Sequence, residues 1–78
     1  MTVYILHSNA LGRHYVGMTQ DLVLRLRQHN SSRKNWTAQA DDWRVVWSKE
    51  VANRDAAREL ERLIKGRGAV RWLAGQAL

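Results

Sequence analysis

The sequence predicts an α+β domain built on a small three-stranded antiparallel sheet flanked by helices, in the order β-β-α-β-α-α. Three observations carry that expectation. Two short runs rich in β-branched and aromatic residues, Val3 to His7 and His14 to Met18, lie on either side of a turn-forming segment. Two later stretches place apolar residues at helical spacing, and a third β-rich run stands between them. The chain has 78 residues, which is one domain over 1–78 with no room for a second core.

The first two runs read as a hairpin. Ser8-Asn9-Ala10-Leu11-Gly12 supplies its loop, with Gly12 as the permissive backbone position. Thr19 or Asp21 offers the N-cap of the first helix, where an acid also suits the helix dipole. Leu22 and Leu26 recur at i and i+4, with Arg25 and His29 on the neighbouring stripe. Asn30-Ser31-Ser32 is expected to stop this helix. Residues 31 to 42 read as one polar surface loop, of a length that is often functional. Trp43 to Val51 holds Val45, Val46, Trp47 and Val51 and predicts the third strand. Asn53 or Asp55 caps the next helix. Its broad apolar stripe comprises Ala56, Ala57, Leu60, Leu63 and Ile64, with Arg54, Arg58 and Arg62 along one edge. Gly66 and Gly68 are expected to end it. Val70, Trp72 and Leu73 predict a short last helix that packs as a lid.

Composition narrows the function. The formal charge is +6, from 13 Lys and Arg against 7 Asp and Glu. Most of the cations are arginine, whose planar fork suits phosphate better than a lysine point charge does. A small basic domain of this kind favours a nucleic-acid partner, although basic surfaces also serve solubility. No cysteine is present, which excludes disulfides and thiolate metal sites. No run of about 20 apolar residues exists, so no membrane span is expected. The N-terminus lacks a basic region followed by an apolar core, and the cytoplasm is the expected compartment. Zinc-ligand spacing, a P-loop and a dinucleotide glycine pattern are all missing.

Several residues could carry chemistry, and each has an ordinary role beside the functional one. Tyr4 and Tyr15 are strand tyrosines, which usually pack half-buried with one hydroxyl partner. Gly17 sits inside a strand, where glycine marks either a bulge or a close approach. The approaching group could be a phosphate or a metal-bound water. Arg25 and His29 share a helix face near the buried side. There an arginine could clamp a phosphate oxygen and a histidine could move a proton. Glu61 could pair with Lys65 at i+4 or Arg58 at i−3, or it could ligate Mg²⁺, an ion needing only one or two protein carboxylates. His7 and His14 each adjoin a turn and are expected at the surface.

Taken together, these segments resemble the GIY-YIG nuclease family over nearly the whole chain. Val3-Tyr4-Ile5-Leu6 falls at the family's first motif, with Thr2 where the family has glycine, and Tyr15-Val16-Gly17 matches the second. The run from Gly17-Met18-Thr19 through Leu22, Arg25-Leu26 to His29-Asn30 is similar to the pattern that follows. Thr37 and Trp43 fall where small stand-alone members often carry those residues. Ala57, Glu61, Ile64 and Lys65 resemble the family's glutamate helix, and Gly66-Arg67-Gly68-Ala69 resembles the tail of that subgroup.

The resemblance implies metal-dependent hydrolysis of DNA phosphodiesters, structure-directed or weakly sequence-specific, in repair or recombination. It implies one divalent ion, Mg²⁺ or Mn²⁺, on Glu61. Tyr15 would sit near the attacking water, Tyr4 would support it, and Arg25 would hold the scissile phosphate. His29 would hydrogen-bond a tyrosine or take part in proton transfer. All five side chains would line one concave surface. Gly17, Arg13, Arg27, Arg33, Lys34 and Lys65 would meet the nucleic acid. The competing expectations are a non-catalytic nucleic-acid-binding module of the same fold, and an adaptor using exposed Trp36 or Trp72. Composition and motifs leave the oligomeric state open.

Overall fold

A computed structural model describes residues 1–31 and 36–76. Strands β1 (Thr2–Ser8) and β2 (Arg13–Thr19) form the hairpin. Helix α1 (Leu22–Ser31) and a short 3-10 turn (Trp36–Gln39) lead to β3 (Arg44–Glu50). Helices α2 (Arg54–Arg67) and α3 (Ala69–Gln76) complete the α+β order that the sequence predicts.

The sheet is antiparallel with strand order β2-β1-β3, so β1 is central. That position explains why Val3, Tyr4, Ile5 and Leu6 are all buried in succession. A strand covered on both faces loses the polar alternation of a half-exposed one. Val3 and Ile5 point to one side, where Ala57 and Ile64 of α2 close the core with Trp47, Trp72 and Leu73. Tyr4 and Leu6 point to the other, against Trp43, Leu22 and Leu26. The sheet is thus a layer between α1 and the α2/α3 pair.

Local chemistry sets the joints. Gly12 adopts φ 63 in the hairpin loop, a conformation that side chains rarely accept. Asp21 caps α1: its Oδ1 accepts from the Leu24 N–H at 3.0 Å, while the Thr19 hydroxyl oxygen accepts from the Asp21 N–H at 3.1 Å. Asn53 caps α2 by accepting from the Ala56 N–H at 2.9 Å. The Gly68 N–H donates to the Ile64 carbonyl at 2.8 Å and ends the helix, whereas Gly66 lies inside it.

Four expectations change. The apolar stripe of α2 is narrower than its sequence suggests, since Ala56 is exposed and Leu63 is 48% exposed. The segment before β3 is more than a surface loop. Thr37 in it is buried, and Asp42 accepts hydrogen bonds from the Ser8 hydroxyl at 2.5 Å and the Ala10 N–H at 2.9 Å. Trp72 is not an exposed adaptor residue. It is half-buried, edge-on to Trp47 with ring centroids 5.8 Å apart. His7 and His14 are half-buried cross-strand partners with centroids 4.7 Å apart, not freely solvated residues. Among the described residues, no helix is long and apolar enough to cross a membrane.

Candidate active site

The hairpin register assembles the first part of the site. Tyr4 pairs with Gly17 and Leu6 with Tyr15, which places both tyrosines on the α1 side of the sheet. Their ring centroids are 6.3 Å apart. The β1–β2 pairing runs through Gly17 without a shift, so this glycine does not mark a bulge. A Cβ there would lie 2.7 Å from the Tyr4 hydroxyl oxygen and 2.9 Å from the Tyr15 ring. The close approach that Gly17 permits is therefore made by the chain's own tyrosines. The residue is buried, and this packing accounts for it without a phosphate overhead.

Helix α1 delivers the second part. Leu22 and Leu26 seat the helix on the Tyr4 face, which turns Arg25 and His29 inward. His29 is buried, with 1% exposure. Its Nε2 lies 2.9 Å from the Tyr4 hydroxyl and its Nδ1 lies 2.9 Å from the Thr37 hydroxyl. The His29 ring also sits 4.7 Å from the Tyr15 ring, centroid to centroid. Asn30 holds the other end of this layer. Its side chain donates to the Trp43 carbonyl at 3.0 Å and accepts from the Trp43 N–H at 2.8 Å. The Trp43 indole N–H in turn donates to the Thr37 carbonyl at 2.7 Å.

The electrostatics of this cluster follow from burial beside a cation. Burial pushes Tyr4 up to about 12, against the pull of a hydrogen bond with Arg25, and the nearby Tyr15 and Glu61 add to the rise. Burial and then the Arg25 charge push His29 down to about 4. Burial works against the Arg25 cation, but contacts with Tyr4 and Tyr15 outweigh it and raise its value. At pH 7 Tyr4 and His29 are both neutral. A neutral imidazole has one donor and one acceptor nitrogen. With Arg25 donating to the Tyr4 oxygen, the Tyr4 O–H is directed at His29 Nε2, and Nδ1–H at Thr37. The arrangement links Tyr4 to His29 and His29 to Thr37.

Glu61 is the acid that α2 brings. This helix packs on β2, the edge strand, as well as on β1. A 450 Å³ cleft there is lined by His14, Tyr15, Val16 and Lys65, among others. Tyr15 and Val16 face opposite sides of the sheet, so the cleft lies along its edge. The Glu61 carboxylate accepts from Lys65 Nζ at 2.8 Å, and its side chain is 21% exposed. Of the two ion-pair partners open to it, Lys65 is the one used. The carboxylate is still close enough for its charge to oppose ionisation of Tyr4.

The five residues therefore gather, but not on one surface. Tyr4 and His29 are buried, whereas Tyr15, Arg25 and Glu61 are half-buried. Burial of β1 on both faces is the reason. Arg13 is exposed at the start of β2, opposite Ser8, at the end of the strand away from Gly17. Arg27 is exposed and, two residues from Arg25, faces the far side of α1. Arg33 and Lys34 lie outside the described residues, as does the Trp36 side chain. Thr37 and Asn30, named in the family resemblance without a role, carry contacts of this layer. No periodicity pointed to Thr37, because it acts from an irregular turn.

Among the described residues no group of three or more His, Cys, Asp or Glu could hold a metal. Glu61 alone does not make an all-protein cage. It fits an ion such as Mg²⁺, which keeps several waters and borrows substrate phosphate oxygens.

Searches of curated proteins and of solved structures return no significant match. The family model described as the GIY-YIG catalytic domain matches residues 1–69. Its match spans both strands of the hairpin, α1, β3 and all of α2, which are the elements that position every residue of this cluster. The chain belongs to the GIY-YIG family, a nuclease-type family.

Proposed function

We propose that the chain is a divalent-metal-dependent DNA endonuclease in which Arg25, Tyr15 and Glu61 meet the reacting groups. The observation that carries this reading is the convergence of a cation, a tyrosine and a carboxylate from three elements around Tyr4: Arg25, Tyr15 and Glu61 all act on its hydroxyl. Arg25 binds a non-bridging oxygen of the scissile phosphate and offsets the charge that develops on it. Tyr15 borders the edge cleft and orients the attacking water. Glu61 holds Mg²⁺ or Mn²⁺, which when bound lowers the pKa of water and neutralises phosphate charge. Tyr4 and His29, reached by neither solvent nor substrate, act as positioning residues. Lys65 balances Glu61 before the ion arrives, and its exposed ammonium is available to DNA.

Structure-directed or weakly specific cleavage fits this surface, because arginine–phosphate contacts carry no base information. Roles in repair or recombination belong to this proposal as well. The test is a panel of single-stranded, duplex, flap and junction DNA with each metal. Cleavage is expected with Mg²⁺ or Mn²⁺ and is lost in EDTA and in Glu61→Gln, with DNA binding retained. Equal DNA binding by wild type and Glu61→Gln with no cleavage of any substrate would establish a binding module instead.

A further inference from the structure

A second cleft, of 670 Å³, opens where α1 and α2 begin. Met18, Leu24, Arg25, Gln28, Asn53 and Arg54 are among its lining residues. We propose that this cleft is the subsite for an unpaired nucleoside next to the scissile phosphate, so that the preferred DNA is single-stranded at the cut. The inference rests on the reading of Arg25 as the phosphate clamp.

Arg25 is the link. Its guanidinium contacts Tyr4 and Tyr15 on one side, and the same side chain forms part of the cleft wall. A phosphate held there leaves its attached nucleoside at the cleft mouth. The lining suits such a group. Met18 and Leu24 offer an apolar surface to a base or sugar. Two amides have their oxygens engaged inside the protein: Gln28 Oε1 accepts from Arg25 at 3.1 Å and Asn53 Oδ1 accepts from the Ala56 N–H at 2.9 Å. Their NH₂ groups are left as donors, matched to the carbonyl and ring-nitrogen acceptors of a base. Arg54 places a further cation for the next phosphate, and it exceeds in number, with Arg25, the one acid on the wall, Asp21. The volume lies within the roughly 300–1,000 Å³ of small-ligand pockets, room for one nucleoside. A paired base would have to leave its stack to enter, at a cost of a few kcal/mol that an unpaired base avoids.

Arg54 and Arg58 allow a matched test. Both are exposed, both lie on α2 one turn apart, and only Arg54 lines the cleft. Binding of fluorescent oligothymidylate and of a hairpin duplex is measured by anisotropy in EDTA at fixed salt. The variants are Arg54→Gln and Arg58→Gln, with circular dichroism confirming that each folds. The wild type is expected to favour oligothymidylate by about tenfold. Arg54→Gln should reduce that preference to about twofold or less, and Arg58→Gln should leave it in place. Equal affinity for both DNAs in the wild type, or equal effects of the two variants, overturns the subsite. So does a lack of binding to either DNA. Cleavage of the same DNAs with Mn²⁺ decides the nuclease reading separately. A wild type that prefers oligothymidylate but cuts nothing keeps the subsite and removes the nuclease. One that cuts both DNAs alike, without preference in binding, does the reverse.

Discussion

The two faces of the central strand carry different kinds of interaction, although their residues alternate along a single run. On the α2/α3 face, Val3 and Ile5 meet Ala57 and Ile64 in a cluster of apolar residues. On the α1 face, Tyr4 occupies the matching position and is joined to buried His29 and Thr37 by hydrogen bonds. The first face is non-directional and contributes stability in proportion to area. The second is directional, and it ties Tyr4, His29 and Thr37 to one another. Non-directional packing and directional bonding thus occupy opposite sides of the same sheet.

Four measurements test that contrast. The largest effect is expected from Ile5→Ala. It empties part of the apolar face and should cost about 2–5 kcal/mol in urea unfolding. Cleavage per folded molecule should stay within about twofold of wild type. A collapse in specific activity would show that the two faces are not separable.

The polar face should reveal itself through pH. His29 titrates near 4 in the folded protein and near its ordinary 6.5 when unfolded. Between those values the unfolded state binds the extra proton. Stability is therefore complete above about 6.5 and falls as pH drops towards 4. The loss is about 3 kcal/mol, at roughly 1.4 kcal/mol for each pH unit in that window. Asp42 and Glu59, held below the usual carboxylate range by Ser8 and Arg62 respectively, act at lower pH. Unfolding of wild type and His29→Gln at pH 7, 5.5 and 4.5 checks this. A slope that persists in His29→Gln would locate the effect elsewhere.

Gly17→Ala should cost about 1–3 kcal/mol, because the added methyl meets the Tyr4 hydroxyl and the Tyr15 ring. Near-ultraviolet circular dichroism should show the tyrosines displaced, with cleavage reduced more than stability. An unchanged spectrum and activity would separate ring placement from function. Lys65→Met should do least. The Glu61–Lys65 pair, with its lysine exposed, joins i and i+4 on a helix, worth about 0.5 kcal/mol or less. A thermal shift beyond a few degrees would mean that Lys65 supports more than its partner.

Much of the fold is legible in the chain because its signals are local. Gly12 marks the hairpin loop, Asp21 and Asn53 cap the helices, and the paired β-branched runs mark strands. The site is legible only in part. Tyr4, Tyr15, Arg25, His29 and Glu61 are marked by family resemblance, since each has an ordinary structural role that composition cannot exclude. Thr37 and Asn30 fall at positions of that resemblance, but what they contact is hidden in the sequence for a physical reason. Their contacts lie across a fold-back, from His29 to Thr37 and from Asn30 to Trp43, and neither follows a helix or strand period.

The element order, the sheet type, the basic character and the membership of a nuclease-type family are legible in the residues alone. These follow from periodicity, caps, charge and motifs, which act over a few residues or sum over all of them. Only the assembled fold buries Tyr4 and His29, lets Gly17 make room for the tyrosines and brings Glu61 within charge range of Tyr4. Those outcomes depend on which strand is central and on how two helices pack against it. Burial and cross-chain proximity exist only once the sheet is assembled.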